Sequence, residues 1–325
     1  MARRIRQTFE SDLYRLEPGM QRHFAQRMYR ITGDERYAYP LFLDYLILEK
    51  NLQATLDSLH NRVWVDRQMS RILDRMDDGG RKGRLRRQMF EHNGDMALYL
   101  EMLRAAYALE DYGVCSTGSL GLCGQAVVEL GKVDLPLFLL DTAVIRVYSA
   151  QAVNGVYYMY QLRLGDFRTE YASAFRQTFP DDRDAELSDL EFGDKIYGLT
   201  HFVTAASNYY QKPVDSAEFN WILGYFELRQ ARILHNLKAD IVAEVGLCFL
   251  LAGQDRHLLV DQCRKIVLDE FDPGSGIVPS PAGNTDLDLG EHRNILAYML
   301  LEWPRELHPG PRLPDLGSFQ TIFYR

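Results

Sequence analysis

The stretch HFAQRMYRITGDERYAYPLFLDYL, residues 23–46, consists of an apolar run, a glycine turn at Gly33 and a second run that carries charge on one face. An apolar helix that ends at a glycine and leads into an amphipathic helix is the pattern of a helical hairpin. The same order recurs in NGVYYMYQLRLGDFRTEYASAFRQTF (154–179) and in DIVAEVGLCFLLAGQDRHLLVDQCRKIVL (240–268). Three occurrences of one pattern predict a repeat of helical hairpins.

Two weaker copies, 123–148 and 201–226, extend the repeat, so that turns fall at about 131, 165, 211 and 253. In each copy the first helix is apolar on nearly all sides and the second is amphipathic, which predicts inner and outer helix layers. An open solenoid would expose an inner face that is too apolar for water. We therefore predict an all-α fold, an α/α toroid of about six helical hairpins, as a single domain over residues 1–325 with a candidate insertion at 60–90.

Composition limits the class of protein. The 325 residues are 46% hydrophobic and carry a formal charge of -8, which argues against a nucleic-acid binder. No apolar run is long enough for a membrane span, and the arginines near the N-terminus precede no signal-like apolar run. The four cysteines show neither metal spacing nor the density of a disulfide framework. These features predict a cytoplasmic protein with reduced thiols and no membrane partner.

The turn sequence carries a family resemblance. HFAQRMYRITGDERY resembles the hairpin signature of α/α-toroid enzymes, in which a helix ends in a Tyr-Arg-Ile-Thr-Gly-Asp type of turn. The stretch from YGLTHFVTAASNYYQ to DIVAEVGLCFLLAG also resembles a bacterial family with a domain of unknown function, over residues from about 20 to 305. The first resemblance implies a ring fold of the kind found in carbohydrate-active enzymes, and the second implies no catalytic residues.

Histidines occupy equivalent places in the repeat. Counting back from the turns reaches His23, Asn154, His201 and the residue before Glu244, and His292 stands in a similar place in the last apolar helix. If the hairpins form a ring, these helix beginnings meet over one cavity. The positive end of a helix dipole disfavours imidazolium, so we expect neutral histidines that can act as general bases or metal ligands. The predicted catalytic residues are His201, His292 and His23.

Other polar residues surround these helix beginnings. The loop 269–294, rich in Gly, Pro, Ser and Asp, is long enough for a lid or a binding loop. It brings acids and an arginine close to His292, and His92 precedes another apolar helix. The predicted substrate-binding residues are Arg293, Asn154, His235, Asp240, Glu244, Asp286, Asp288 and His92.

Three functions from different classes remain open. The first is an enzyme that performs acid/base chemistry on a polar, anionic metabolite or saccharide, as an isomerase, lyase or hydrolase. N-acylglucosamine epimerase-like toroids, which this chain resembles loosely, use paired histidines in this way, and His201 and His292 are the analogous candidates.

The second function is a metal-dependent enzyme that modifies natural products or peptides, with His23, His201 and His292 as metal ligands. No motif requires a cofactor, and a divalent metal is the one cofactor this second function would need. The third is a non-catalytic scaffold that binds a ligand or a partner. The sequence does not decide between them, and it gives no oligomeric state.

Overall fold

The computed structural model describes residues 1–76, 80–115 and 120–316. Within these ranges the secondary structure is helical, and the β contribution is one isolated bridge between Asp272 and Ile277. The prediction of an all-α fold is confirmed. The α-helices are α1 (Ala2–Asp12), α2 (Pro18–Thr32), α3 (Ala38–Ser58), α4 (Arg62–Met76), α5 (Arg81–His92), α6 (Met96–Asp111), α7 (Leu120–Leu130), α8 (Leu135–Leu139), α9 (Thr142–Gln161), α10 (Arg168–Thr178), α11 (Asp189–Ala206), α12 (Ser216–Leu228), α13 (Gln230–Asn236), α14 (Ala239–Leu251), α15 (Leu258–Asp269) and α16 (Leu287–Leu301).

Side-chain caps fix where several helices begin. Asp141 accepts hydrogen bonds from the backbone N–H groups of the first turn of α9, and Asp286 does the same for α16. Before α11, the Ser188 hydroxyl accepts from the N–H of Glu191, while the Glu191 carboxylate accepts from the N–H of Ser188 at 3.0 Å. This reciprocal capping box starts α11 at Asp189, well before the apolar run that marks it in the sequence.

The glycine turns lie where the repeat predicts them. Gly33 ends α2 with φ +67°, and its N–H donates to the Tyr29 carbonyl at 2.7 Å. Gly253 follows α14 with φ +72°. Both are left-handed positions that favour glycine because a Cβ would clash with the backbone. The helix pairs predicted around Gly165 and Gly253 are α9 with α10 and α14 with α15, and each pair packs together.

The turn after α11 has a different solution. Asn208, Tyr209 and Tyr210 all have positive φ, at 54°, 56° and 72°. A left-handed conformation costs a non-glycine residue roughly 1–2 kcal/mol, so the turn needs external support. Arg30, which is buried, donates through Nη1 to the Tyr209 carbonyl at 2.9 Å and through Nε to the Gly310 carbonyl at 3.0 Å.

The residues group into two compact units. The first comprises Met1–Asp44 and Leu199–Pro311. At its centre α16 packs against α1, α2, α14 and α15. Helix α14 is the most buried element, with Val242–Leu251 enclosed throughout, and each fully buried aliphatic side chain contributes about 1.5–3 kcal/mol to stability. Two carboxylates, those of Glu244 and Glu291, are buried within this apolar packing.

The second unit comprises Tyr45–Gly198 and the described residues from Arg312 onward. There α9 packs against α5, α6, α8 and α10. The buried ammonium group of Lys195 pairs with Asp181 and Asp184, with N–O distances of 2.7 Å to each. Within the candidate insertion at 60–90, α4 and α5 pack against each other, and residues 77–79 lie outside the described ranges.

One prediction about the cysteines is wrong. Cys115 and Cys123 form a disulfide across a sequence separation of 8, whereas Cys248 and Cys263 are free and buried. Cys115 follows the end of α6 and Cys123 lies in α7, and the fold brings their sulfur atoms together. The spacing of the cysteines in the sequence does not reveal this contact. Disulfides persist mainly in oxidising compartments, so the pair argues against the reducing environment that the sequence suggested.

No helix among the described residues is long and apolar enough to cross a membrane. The closed ring of hairpins and its single domain stay predictions.

Candidate functional site

Four helices of the first unit bring titratable side chains together. His23 lies in the second turn of α2, Glu244 in the second turn of α14, and Glu291 and His292 in the second turn of α16. His201 lies deep within α11, so the prediction that it begins a helix is wrong, because the capping box starts that helix at Asp189. The same correction applies to Asn154, which is inside α9 because Asp141 caps that helix earlier.

A chain of contacts runs through these residues. His23 Nδ1 approaches the Glu291 carboxylate at 2.7–2.9 Å, and His23 Nε2 lies 3.4 Å from His292 Nδ1. On its other side, His292 Nε2 lies 3.5 Å from Glu244 Oε1. The order is therefore carboxylate, imidazole, imidazole, carboxylate. The Glu291 side chain is fully enclosed, whereas the His292 side chain is 35% exposed. The series of contacts therefore leads from the interior to solvent.

Glu244 is the meeting point of two further groups. The Thr200 hydroxyl donates a hydrogen bond to Glu244 Oε2. His201 Nε2 lies 4.0 Å from Glu244 Oε1, the same oxygen that faces His292. The structure thus brings His23, His201 and His292 to one place, and the buried carboxylate of Glu244 is the element that joins His201 to the other two.

The two linked histidines have opposite pKa shifts. Burial lowers the pKa of His23 well below its ordinary value, and the positive charges of Arg27 and His292 lower it further. Burial would also lower the pKa of His292, but its hydrogen bond with the Glu244 carboxylate raises that pKa above the ordinary value. His23 is therefore neutral near pH 7, as expected, whereas the Glu244 carboxylate favours the charged form of His292.

The pKa values of the two carboxylates, Glu291 and Glu244, are also shifted in opposite directions. Burial raises the pKa of Glu291 to about 7, although the nearby positive charges of His292 and Arg27 oppose this rise. Burial would raise the pKa of Glu244 too, but the hydrogen bond with His292 and the charge of His201 bring it below the ordinary value. A pair of acids whose environments push their pKa values apart is typical of sites that combine a proton donor with a permanent charge.

The contacts permit two arrangements of the same protons. In one, Glu291 and Glu244 are ionised, His23 donates from Nδ1, and His292 is an imidazolium that donates from both nitrogens. In the other, Glu291 is protonated and donates to His23 Nδ1, while His23 Nε2 donates to a neutral His292. The two arrangements hold equal numbers of protons and differ by the shift of two of them. This series of contacts can therefore move a proton between the buried Glu291 and His292.

A guanidinium and a phenol border this chain. Arg27 follows His23 by one turn of α2, so the two share a face of the helix. Its Nη1 lies 3.5 Å from the His23 carbonyl, and its Cζ lies 5.8 Å from the centre of the Tyr210 ring. Burial, together with the neighbouring Glu244 charge, raises the pKa of Tyr210, so its hydroxyl stays protonated.

The arrangement fits proton transfer better than metal binding. Among the described residues, no group of three or more His, Cys, Asp or Glu side chains has a geometry that could hold a metal ion. His23 and His292 direct nitrogen atoms towards each other and towards carboxylates, and these nitrogens would otherwise be the metal ligands. The proposed metal set of His23, His201 and His292 gains no support from these contacts.

Several predicted binding residues have structural roles in the first unit. Asp286 caps α16, and Asp288 accepts a hydrogen bond from the N–H of Glu17 at 2.7 Å. Arg293 Nη1 lies 3.5 Å from the Val278 carbonyl. Asp240 lies in the first turn of α14 and, like Arg293, acts electrostatically on Glu270, whereas His235 is exposed on α13.

Two other predicted residues lie in the second unit. Asn154 is half-buried in α9. His92 is exposed at the end of α5, where its Nδ1 lies 2.6 Å from the Gln88 carbonyl.

Only weaker signals in the sequence point to the remaining members of the cluster. Glu291 directly precedes His292 in the sequence, but its contact with His23 depends on α2 packing against α16. Arg27 could have been found from its i, i+4 relation to His23. Thr200 and Tyr210 carry no pattern that separates them from core residues.

A cleft of about 740 Å³ lies elsewhere in the first unit. It is lined by the turns after α11 and α14, by α15 and by the segment after α16, including Lys212, Asp255, Arg264 and Trp303. Its size is that of a small-molecule site, but none of the clustered histidines lines it.

The model of one protein family, described as a domain of unknown function (DUF3541), matches residues 1–323. No curated protein and no solved structure matches the chain.

Proposed function

The chain belongs to the DUF3541 family, and we propose that it is an enzyme that transfers protons on a small polar, anionic metabolite or saccharide. One observation supports this proposal above the others. Four titratable side chains, Glu291, His23, His292 and Glu244, form a continuous series of contacts from the interior to a partly exposed imidazole. An ion pair with a purely structural role would need only His292 and Glu244, and it would not need the neutral imidazole of His23 or the second carboxylate of Glu291.

In this proposal each residue has its own role. His292 is the general acid and base that faces the substrate, because it is the most exposed member of the series. Glu244 stabilises the imidazolium form of His292 through its charge. His23 and Glu291 receive or return the proton that His292 exchanges with the substrate, and His201 orients Glu244 from the other side.

Proton exchange at a carbon next to a carbonyl or carboxylate is the reaction class that this arrangement favours. It includes isomerases, epimerases and lyases, and it needs a base whose pKa lies near the working pH. In support of this class, the pKa of Glu291 is raised to about 7, and the Glu244 carboxylate raises the pKa of His292 above that of an ordinary imidazole. The disulfide favours assay conditions without reductant.

The experiment uses a metabolite extract in ²H₂O rather than a chosen substrate. The native protein is incubated with the extract, and mass spectrometry follows anions that gain deuterium or are consumed. We expect such changes with the native protein and a loss of at least about 100-fold in rate with His292→Gln, the usual contribution of a general acid or base. His60→Gln is the matched control, because His60 is an exposed imidazole outside the cluster. Equal spectra with native protein and His292→Gln would contradict the proposal.

A further inference from the structure

Within the described ranges, the enclosed Nε of Arg27 lacks a hydrogen-bond acceptor, a feature that Arg293 shares, but of the two arginines only Arg27 shares a helix face with His23. The hydrogen bond of Arg27 from Nη1 to the His23 carbonyl is long at 3.5 Å. Enclosed guanidinium groups are normally paired with carboxylates or with several carbonyls, since an uncompensated charge is costly to bury.

Arg30, on the same helix, shows the normal case. Its Nε donates to the Gly310 carbonyl at 3.0 Å, and its Nη1 donates to the Tyr209 carbonyl at 2.9 Å. Both arginines belong to the first unit and both lie close to Tyr210 or its neighbour. The sequence thus provides one arginine that is committed to structure and another whose hydrogen-bonding capacity is largely unused.

The unused part of Arg27 has a defined shape. Because Nη1 faces the His23 carbonyl, the opposite edge, formed by Nε and Nη2, remains for a ligand. That edge presents two parallel N–H groups, which match the two oxygens of a carboxylate. The other contacts of the guanidinium are weak: its Cζ lies 5.8 Å from the centre of the Tyr210 ring, and its hydrogen bond to the His23 carbonyl is long.

The neighbourhood explains why such a group is needed. The cluster contains the carboxylates of Glu244 and Glu291, which would repel an anionic substrate from His292. A positive charge one helical turn from His23 offsets that repulsion. Arg22, which directly precedes His23 on α2, pairs with Asp44 at 3.7 Å, so its charge is already partly neutralised.

We propose that the Nε–Nη2 edge of Arg27 is a carboxylate-binding subsite beside His23 and His292. It rests on the proposed function, for which it names the substrate class: a metabolite with a carboxylate close to the atom that exchanges a proton. Such an edge can also bind two oxygens of a phosphate, so phosphate is the alternative ligand that the test separates from carboxylate.

The test observes binding directly and does not depend on turnover. The Nε–H signals of the native protein are followed by ¹H–¹⁵N NMR while acetate, inorganic phosphate or chloride is added at constant ionic strength. Arg27→Lys and Arg30→Lys identify the two signals by their loss. We expect the Arg27 signal to shift saturably with acetate, with a dissociation constant on the order of millimolar for so small a ligand. The Arg30 signal is the internal control and should stay in place.

Each outcome decides the proposal. A saturable shift of Arg27 with acetate that chloride does not reproduce supports the subsite. Absence of that shift, an equal shift with chloride, or tighter binding of phosphate than of acetate overturns it. The ²H₂O experiment tests the proposed proton transfer separately. If Arg27 binds acetate but His292→Gln behaves like the native protein in that experiment, the subsite stands and the proposed proton transfer fails.

Discussion

Replacing Glu291 with glutamine should change how stability depends on pH. In the folded protein burial raises the pKa of Glu291 to about 7, compared with 4.5 for a free glutamate side chain. The folded state therefore binds this proton more tightly than the unfolded state. The resulting stabilisation is fully present below pH 4.5 and is lost as pH rises through 7.

The size of the effect follows from the shift. A difference of about 2.5 pKa units corresponds to roughly 3 kcal/mol, which is the full cost of ionising the buried group at high pH. At pH 5 the cost is about 1 kcal/mol, and at pH 8 it is about 3 kcal/mol. Glutamine has nearly the same shape and does not titrate. The free energy of unfolding of Glu291→Gln relative to the native protein should therefore rise by about 2 kcal/mol between pH 5 and pH 8.

Urea unfolding followed by circular dichroism at several pH values measures this difference. Glu170→Gln serves as the control for replacing a carboxylate, because Glu170 is exposed on α10, outside the cluster. If the curves of the native protein and Glu291→Gln stay parallel across the range, the buried, neutralised carboxylate described above does not exist.

Two further predictions concern packing and the cysteines. Gly246→Ala should destabilise the protein by roughly 1–3 kcal/mol in thermal or urea unfolding, because its Cβ would lie 2.7 Å from Cδ1 of the buried Leu300. Gly224→Ala is the control and should be neutral or slightly stabilising, because a Cβ there has nothing within 4 Å. Equal effects of the two substitutions would show that the packing around Gly246 is looser. Under denaturing, non-reducing conditions, maleimide should label two of the four cysteines, and labelling of all four would show that the disulfide is absent. Replacing Cys115 and Cys123 with alanine should lower the free energy of unfolding by up to about 2.5 kcal/mol, because the disulfide closes a loop of 8 residues.

The repeat of apolar helix, glycine turn and amphipathic helix was readable because it depends on local physical chemistry. Gly33 and Gly253 adopt left-handed conformations that few other residues tolerate, so their positions mark helix ends. Helix beginnings were harder to place. The Ser188 and Glu191 box starts α11 inside an acidic run that looks like an exposed connection, because capping depends on a few polar atoms rather than on periodicity.

The candidate site was predictable only in part. His23, His201 and His292 were chosen from their places relative to the turns, and the structure brings them together around Glu244. The same reasoning also selected Asn154, which lies in the second unit. A place relative to a turn fixes how far a residue lies along its helix, but not which direction its side chain takes after packing.

The sequence by itself determined that this chain is helical, where its glycine turns fall and which of its polar residues interrupt apolar helices. These properties follow from backbone conformation and from the hydrophobic effect, both of which act over a few residues. The tertiary structure alone decided that Glu291 faces His23, that His292 lies between His23 and Glu244, and that Cys115 meets Cys123. Those relations set the pKa of each group, because burial and neighbouring charge are defined only once helices distant in sequence have packed together.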